Sequence, residues 1–335
     1  MHIKDYFLPK SFIYTGKHAT VPTKIIHYGY DEEDVKTSHA FDDLDASKHY
    51  IQVIGLKDTE KITEALKAFN IDEMVIEDIF NVTQRPKIEV KKDYIFGVFR
   101  IVYKDHEKIN HDYMSLIMKD HLLITFHETT PLFLEAVPPL FKRNSLFKRE
   151  GSDHLLFHLL DIMTDKQIDL FDEFKDKLEG FEASILENKK SDQEAFYLVR
   201  KELLTLKNNV SPMLESLEKT VYENPLFKRD TLHYYDDLLD HLKRLESNIN
   251  EARELMRHLL DLEMNNQSNQ MNRIMKTLTL FSAIFIPLSF LTGFFGMNFI
   301  HFNILAYEEA VPLFLGFSIL IAVLMIVLFK KMKWF

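Results

Sequence analysis

Two charge-free apolar runs close together near the C-terminus constrain this chain more than anything else in it. Leu278 to Phe295 holds no charged residue, and neither does Val311 to Phe329. At about 1.5 Å of rise per residue, each makes a helix close to the roughly 30 Å hydrocarbon thickness of a bilayer. A helix satisfies its own backbone hydrogen bonds, so two such runs joined by a short loop are expected to cross a membrane as a hairpin. The body before them is mostly polar. Hydrophobic residues make up 46% of the chain, yet its mean hydropathy is only -0.14, so the apolar residues are concentrated at one end.

Charge sets the topology. Arg273 and Lys276 precede the first run, and Lys330, Lys331 and Lys333 follow the second. The loop between, Gly296 to Ala310, holds no Lys or Arg but carries Glu308 and Glu309. The excess of positive charge on cytoplasmic flanks puts that loop outside and both termini in the cytoplasm. The start, Met1-His2-Ile3-Lys4-Asp5-Tyr6, lacks the apolar stretch of a cleaved signal peptide. A membrane with the polar body on its cytoplasmic side is therefore expected.

The net charge is -10. That argues against a nucleic-acid partner, which calls for clustered Lys and Arg, and suits a protein that meets cations. There are no cysteines, which excludes disulfides and thiolate metal sites. No nucleophile is paired with a base in a credible motif, so the chain is not expected to be an enzyme.

Residues 1 to about 150 read as a mixed α/β domain. Tyr50–Ile54, Tyr94–Phe99 and Leu122–Phe126 have the alternation or the β-branched and aromatic content of strands. Thr59–Phe69 and Asp72–Phe80 read as helices, with Asp58 or Thr59 and Asp72 as candidate N-caps. Pro86 marks a break before a strand starting near Lys87. From Ser152 the pattern becomes helical. Leu156, Leu160, Met163, Leu170, Phe174, Leu178, Phe181 and Ile185 share one stripe. Opposite lie Asp161, Asp165, Asp169, Asp172, Glu173, Asp176, Glu179 and Glu182, either a solvated face or a cation-attracting one. A second helix is expected from about Glu194 to Tyr222, broken near Pro212, with Asn224-Pro225 as the reversing turn.

The third helical segment carries a heptad seam: Leu238, Leu242, Leu245, Ile249, Ala252, Met256 and Leu259. After Leu259 polar residues take over the seam at Glu263, Asn266 and Gln270. No Pro or Gly interrupts Leu226 to Pro287, so one helix is expected to run from the stalk into the bilayer. Its stretch to Thr277 alone would measure about 75–80 Å. The domain plan is then 1–150 α/β, 151–277 helical stalk, 278–295 first span, 296–310 external loop, 311–329 second span and 330–335 basic tail.

One face of that helix is unusual for a membrane segment. Asn272, Met275, Leu278, Ser282, Ile286 and Ser289 recur at spacings of three and four and share one side. A ring of such faces would alternate polar positions that hold hydrated ions with apolar constrictions that gate by dewetting. The plain alternative is helix packing with each Ser bonded to its own backbone. Pro287 removes one backbone bond inside the run, and Gly293 and Gly296 flank its outer end. A thin hairpin cannot enclose water alone, so conduction needs several copies around an axis.

These residues resemble a known family. Met271 to Thr279, Ile284 to Phe290, and Gly293 to Phe299 with its Gly296-Met297-Asn298 closely resemble the CorA family of magnesium transport proteins. Arg253 to Leu262 and Asn81-Val82-Thr83-Gln84-Arg85-Pro86-Lys87 are similar too. The resemblance implies an α+β membrane protein: a cytoplasmic α/β domain, a long helical stalk and two C-terminal transmembrane helices, assembled as a funnel-shaped homopentamer in a lipid bilayer. The first span would line the pore and the second form an outer ring. Together with the flanking charges and the start of the chain, the resemblance implies the inner or plasma membrane of a prokaryote.

The resemblance implies Mg²⁺ as cargo, with Co²⁺ and Ni²⁺ as further cargo, and Mg²⁺ again as a regulator. It makes Gly296, Met297 and Asn298 the selectivity motif and the six-residue face above the pore lining. Ile286 stands where Met is common, Ser289 where Thr is common, and Phe295 where Tyr is common. It implies regulatory metal positions at Asp78 with Glu77 beside it, at Asp237 across a subunit interface, and at Asp261; solvated surface carboxylates are the plain alternative for each. His241 and His258 read as surface or interface residues. Some relatives move Zn²⁺, so a zinc carrier is the near alternative. A non-conducting scaffold anchored by a membrane hairpin is the distant one.

Overall fold

The computed structural model describes residues 12–42, 44–106, 108–143, 151–187, 189, 192–297 and 307–332. Seven strands form one sheet: β1 (Lys24–Tyr30), β2 (Val35–Ser38), β3 (Lys48–Ile54), β4 (Lys87–Val90), β5 (Ile95–Asp105), β6 (Lys108–Lys119) and β7 (Leu122–His127). Their order is β2-β1-β3-β7-β6-β5-β4. Only β3 and β7 pair in parallel, with Ile51 opposite Ile124; the remaining neighbours run antiparallel. From β3 the chain makes its longest excursion between consecutive strands, over to β4 at the far edge, and returns through β5 and β6 to β7, the long crossover that a parallel pair requires.

That excursion carries α1 (Thr59–Ala68) and α2 (Glu73–Phe80). Ile62, Leu66, Ile76, Ile79 and Phe80 of these helices form one core with Ile51, Val53, Phe96, Val98, Ile117, Ile124 and Phe126 of the strands. Alternation sends the intervening residues to the other face. Tyr50, Gln52 and Thr125 are buried there, and their polar atoms satisfy one another: Gln52 Nε2 donates to the Tyr50 hydroxyl at 3.1 Å, which lies 3.2 Å from Thr125 Oγ1. After a short 3₁₀ turn, Leu132–Ala136, comes α3 (Val137–Arg143). Its Phe141 stacks on Tyr28.

The two expected N-caps behave differently. Asp58 accepts from Lys61 N at 3.3 Å and caps α1. Asp72 makes no such bond to α2; the Tyr94 hydroxyl donates to its Oδ2 at 2.6 Å instead. A tertiary partner won the carboxylate that local sequence assigned to the helix.

Three long helices follow: α4 (Ser152–Leu186), α5 (Gln193–Val221) and α6 (Leu232–Phe295). In α4 the predicted stripe is buried apart from half-exposed Phe181, and most of the acidic face is exposed. It packs across β5 and also touches β3, β6 and β7, while α5 reaches β4 and β5. α5 runs unbroken through Pro212, contrary to the expected break. Proline forfeits one backbone bond, but Leu206, Val210, Met213, Leu214 and Leu217 around it are all buried. Lys207–Asn250 at 2.7 Å and Lys243–Glu218 at 2.8 Å set α5 antiparallel to α6.

α6 begins at Leu232, a turn and a half later than Leu226. Its start is tied to the start of α4 through Asp153. That buried carboxylate accepts from Lys228 N at 2.9 Å and from the Thr231 hydroxyl, while Tyr235 donates to the Asp153 carbonyl at 2.6 Å. Every residue of the heptad seam from Leu238 to Leu259 is buried. The last helix is α7 (Ala310–Lys331). The chain divides into two compact units, Met1–Arg257 and His258–Phe335, with the division inside α6.

Candidate ion pathway and acidic sites

α6 and α7 are both long and apolar enough to cross a membrane. α6 stops at Phe295, the last residue of the first apolar run. The second run lies within α7, which extends to Lys331 and so places Lys330 and Lys331 in its last turn, where cations complement the helix dipole. Phe295 meets Phe314 of α7 edge to face, with ring centroids 5.3 Å apart.

The face with spacings of three and four lies on one continuous helix. Asn272, Met275, Leu278, Ile286 and Ser289 are exposed on the single chain, and Ser282 is half-exposed. The helix runs through Pro287, whose missing N–H leaves the Ala283 carbonyl without its helical donor. Hydroxyl-to-backbone bonds in this stretch come from Thr277 to Arg273 O, Thr279 to Met275 O and Thr292 to Ser289 O, at 2.8–3.0 Å. Thr277 and Thr292 lie off the face, whereas Thr279, four residues after Met275 and three before Ser282, lies on it.

The helix ends at the motif. Gly296 N donates to Thr292 O at 2.9 Å and Met297 N to Phe294 O at 3.3 Å. A Cβ on Gly296 would stand 3.0 Å from the Thr292 carbonyl, so this close approach favours glycine. Met297 is exposed. Asn298 lies outside the described residues, as does the loop through 306. Glu308 and Glu309 are exposed.

The expected metal positions fall in three places. Asp78, on α2, is about 30% exposed and bonds Lys87 Nζ at 2.7 Å; Glu77 beside it is exposed. Asp237, on α6, is 71% exposed, with His241 Nε2 3.9 Å from its Oδ1. Asp261 is exposed further along α6, in the second unit. Within one chain, then, Asp78 and Asp237 have different partners.

The sequence reading missed one cluster. Asp161 and Asp165 of α4 and His241 of α6 point ligand atoms to within 4.8 Å of one another. Burial first, and then the neighbouring Asp165, push the Asp161 carboxyl above its ordinary pKa, while His241 pulls it back. Burial likewise raises Asp165. The four-residue spacing of Asp161 and Asp165, matched by that of Asp237 and His241, was the available signal. What sequence alone could not supply was the pairing of α4 with α6. Two carboxylates and an imidazole offer a donor set that accepts Mg²⁺ poorly and Zn²⁺, Co²⁺ or Ni²⁺ well.

Comparison with known proteins fits this arrangement. The family described as CorA-like Mg2+ transporter protein matches residues 54–331. The cobalt/magnesium transport protein CorA of Thermotoga maritima is 29% identical over 340 aligned positions, covering 97% of this chain and 96% of that one. The zinc transport protein ZntB of Photorhabdus laumondii is 26% identical over 289 positions, 83% of each chain. The complete structure of the CorA magnesium transporter from Methanocaldococcus jannaschii shares the fold, with a TM-score of 0.77 at 20% identity over 94% of this chain and 100% of that one. The chain is a member of the CorA family.

Proposed function

We propose that this chain carries Mg²⁺ inward across a prokaryotic inner membrane, with Co²⁺ and Ni²⁺ as further cargo, as a homopentamer whose α6 helices line a wet axis. The observation that carries the proposal is the uncovered face from Asn272 to Ser289, which passes from the basic flank of Arg273 and Lys276 into the charge-free run and leads to Gly296-Met297. An exposed polar residue facing lipid is costly, whereas a ring of Asn272 and Ser289 around water is not. Met275 and Leu278 supply the narrow apolar collars that close by dewetting.

Mg²⁺ sheds its octahedral water shell reluctantly, so the selector is proposed to hold the hydrated ion. Asn298 amides and nearby carbonyls accept hydrogen bonds from its waters. The membrane potential drives entry, since two charges moved through 100 mV are worth roughly 4–5 kcal/mol. Glu308 and Glu309, exposed outside the span, raise the local cation concentration. Both termini are proposed to lie in the cytoplasm.

Internal Mg²⁺ closes the path. Asp78, with Glu77 beside it, and Asp237 of a neighbouring copy carry carboxylate oxygens suited to Mg²⁺, and Asp261 provides a further acidic position. Bound cations offset the repulsion between subunits and favour the closed form; when internal Mg²⁺ falls, repulsion loosens the interfaces. The ion can shift that equilibrium only by binding the closed form more tightly.

A zinc-carrying variant of this function has one specific observation behind it, the Asp161–Asp165–His241 cluster with its imidazole, and a zinc-transporting relative. Uptake into vesicles bearing the full chain, with Mg²⁺, Co²⁺, Ni²⁺ and Zn²⁺ in competition, ranks the cargo. In the same vesicles Asn298→Ala is expected to lower Mg²⁺ uptake by at least about tenfold while the oligomer stays intact on a sizing column. Unchanged uptake removes Asn298 from the selector, and no uptake by the unaltered chain leaves the scaffold reading.

A further inference from the structure

We propose that Lys87 is a tethered competitor for the cation at Asp78, so that its hold on that carboxylate sets the internal Mg²⁺ concentration at which the regulatory position fills. The inference rests on the reading of Asp78 as a regulatory ligand.

Lys87 sits on β4, the last strand of the sheet, facing α2. Its Nζ lies 2.7 Å from Asp78 Oδ2 and 2.5 Å from Glu89 Oε1. Glu89 is shared in turn, because Lys91 Nζ lies 2.9 Å from its Oε2. The result is an alternating row of charge, Asp78–Lys87–Glu89–Lys91, with one ammonium in the fork of two carboxylates. The fork is positioned from both sides. Gln84 Nε2 and the Tyr113 hydroxyl donate to the Asp78 main-chain carbonyl at 3.2 and 3.4 Å. The Lys87 ammonium lies 5.6 Å from the centre of the Phe96 ring. Partial burial works against the charge on Lys87, but the bonds to Asp78 and Glu89 together outweigh it and hold its pKa above the ordinary lysine value.

A dication approaching Asp78 therefore meets a carboxylate that is already neutralised, beside a fixed positive charge. Filling the position is an exchange: Asp78 gives up the ammonium, the cation or its bound water takes the freed oxygen, and Lys87 swings onto Glu89. Glu89 is the receiving group. It lowers the free-energy cost of the exchanged state by keeping the displaced ammonium partnered, since a partly buried charge left alone is costly. A lysine merely propping β4 against α2 would give no such coupling.

The test uses the full chain in vesicles, with uptake read as internal Mg²⁺ is raised and the half-inhibiting concentration recorded. Lys87→Met keeps the stem on Phe96 and removes the charge. It is expected to lower that concentration about two- to five-fold, the range a half-exposed ion pair can exert. Glu89→Gln is expected to raise it by a similar factor, because Lys87 then has only Asp78. Lys87→Met with Glu89→Gln should match Lys87→Met alone, since Glu89 acts through Lys87. Asp78→Asn is the reference and should raise the concentration. If Asp78→Asn moves it but Lys87→Met leaves it unchanged or raises it, the competitor role is wrong and the Asp78 reading survives. If the double variant follows Glu89→Gln, general charge rather than exchange is at work and the role is again wrong. If Asp78→Asn has no effect, the regulatory reading itself fails and takes the inference with it.

Discussion

Two stretches of the same helix, α6, meet opposite fates. From Leu238 to Leu259 its apolar seam is buried within the single chain. From Asn272 to Ser289 a face with the same spacing stands uncovered, with Leu278 65% exposed against 0% for Leu242. Sequence periodicity says that a face exists; it does not say what covers it. In the first stretch this chain supplies its own cover. In the second it does not, and what remains for that face is other copies, lipid or water. Proposed as a pore wall, it is the part of the molecule whose side chains answer to ions rather than to folding.

The sharpest way to break that contrast is to truncate the same residue in both stretches. Leu242→Ala opens a cavity in a closed core and should cost about 2–5 kcal/mol, read as a clear drop in the melting temperature of the full chain in detergent. Leu278→Ala should change stability by no more than about 0.5–1 kcal/mol while altering flux, because a narrower side chain widens the collar. Equal losses of stability at both positions would mean that the lower face is dry and packed in the assembly. The pore reading would then fail.

Next in size is the tie at Asp153, which belongs wholly to the covered stretch. Its carboxylate joins the start of α4 to Lys228 N and Thr231 just ahead of α6. Hydrogen bonds to a charged group are worth about 1.5–3 kcal/mol. Asp153→Ala should therefore destabilise the chain by roughly that amount, because the Lys228 amide loses its acceptor while the Thr231 hydroxyl keeps only the Lys228 carbonyl, 2.8 Å away. Asp153→Asn, which can still accept one bond, should recover part of it. A melting temperature unmoved by Asp153→Ala would show that the α4–α6 junction is held by packing around Tyr235 alone.

The legibility of the sequence followed the same division. Long periodic helices were readable because one chain's apolar stripe is a local pattern: the seam of α6 and the stripe of α4 are buried nearly as drawn. The sheet was less so. Only strands β3, β5 and β7 and the start of β4 showed local signals, whereas β6 opens with Lys108, Asn110, His111 and Asp112 and reads as loop until its neighbours are in place. Pro212 looked like a break because proline costs a bond locally; burial of the leucines around it is a tertiary fact. Asp72 looked like a cap until Tyr94 arrived from a strand. The cluster of Asp161, Asp165 and His241 needed two helices to be placed side by side. The face from Asn272 to Ser289 was drawn from spacing and lies on one continuous helix, but the selector role proposed for Asn298 comes from family resemblance.

The smallest expected effect is a difference in acid sensitivity, and it too separates the covered body from the spans. His127, at the end of β7, is buried, and neither ring nitrogen has a hydrogen-bond partner among the described residues. Burial pushes its pKa down to about 3; burial likewise lowers His27, His154 and His158. For His127 the unfolded chain gains a proton near pH 6.5 that the folded chain refuses until about pH 3. Its contribution is complete above pH 6.5 and falls away as pH drops through that window, by at most about 1.4 kcal/mol per pH unit. At pH 5 this amounts to about 2 kcal/mol. His127→Leu, which also removes two unpaired polar atoms from the core, should melt at or above the parent's temperature at pH 7.5. It should then lose visibly less than the parent on going to pH 5. Because the other three histidines still titrate, the reading is the difference between the two proteins, not the acid loss itself. Identical losses would mean that the His127 ring finds water or a partner on protonation, and that this end of the sheet is less closed than the stretch around Leu242.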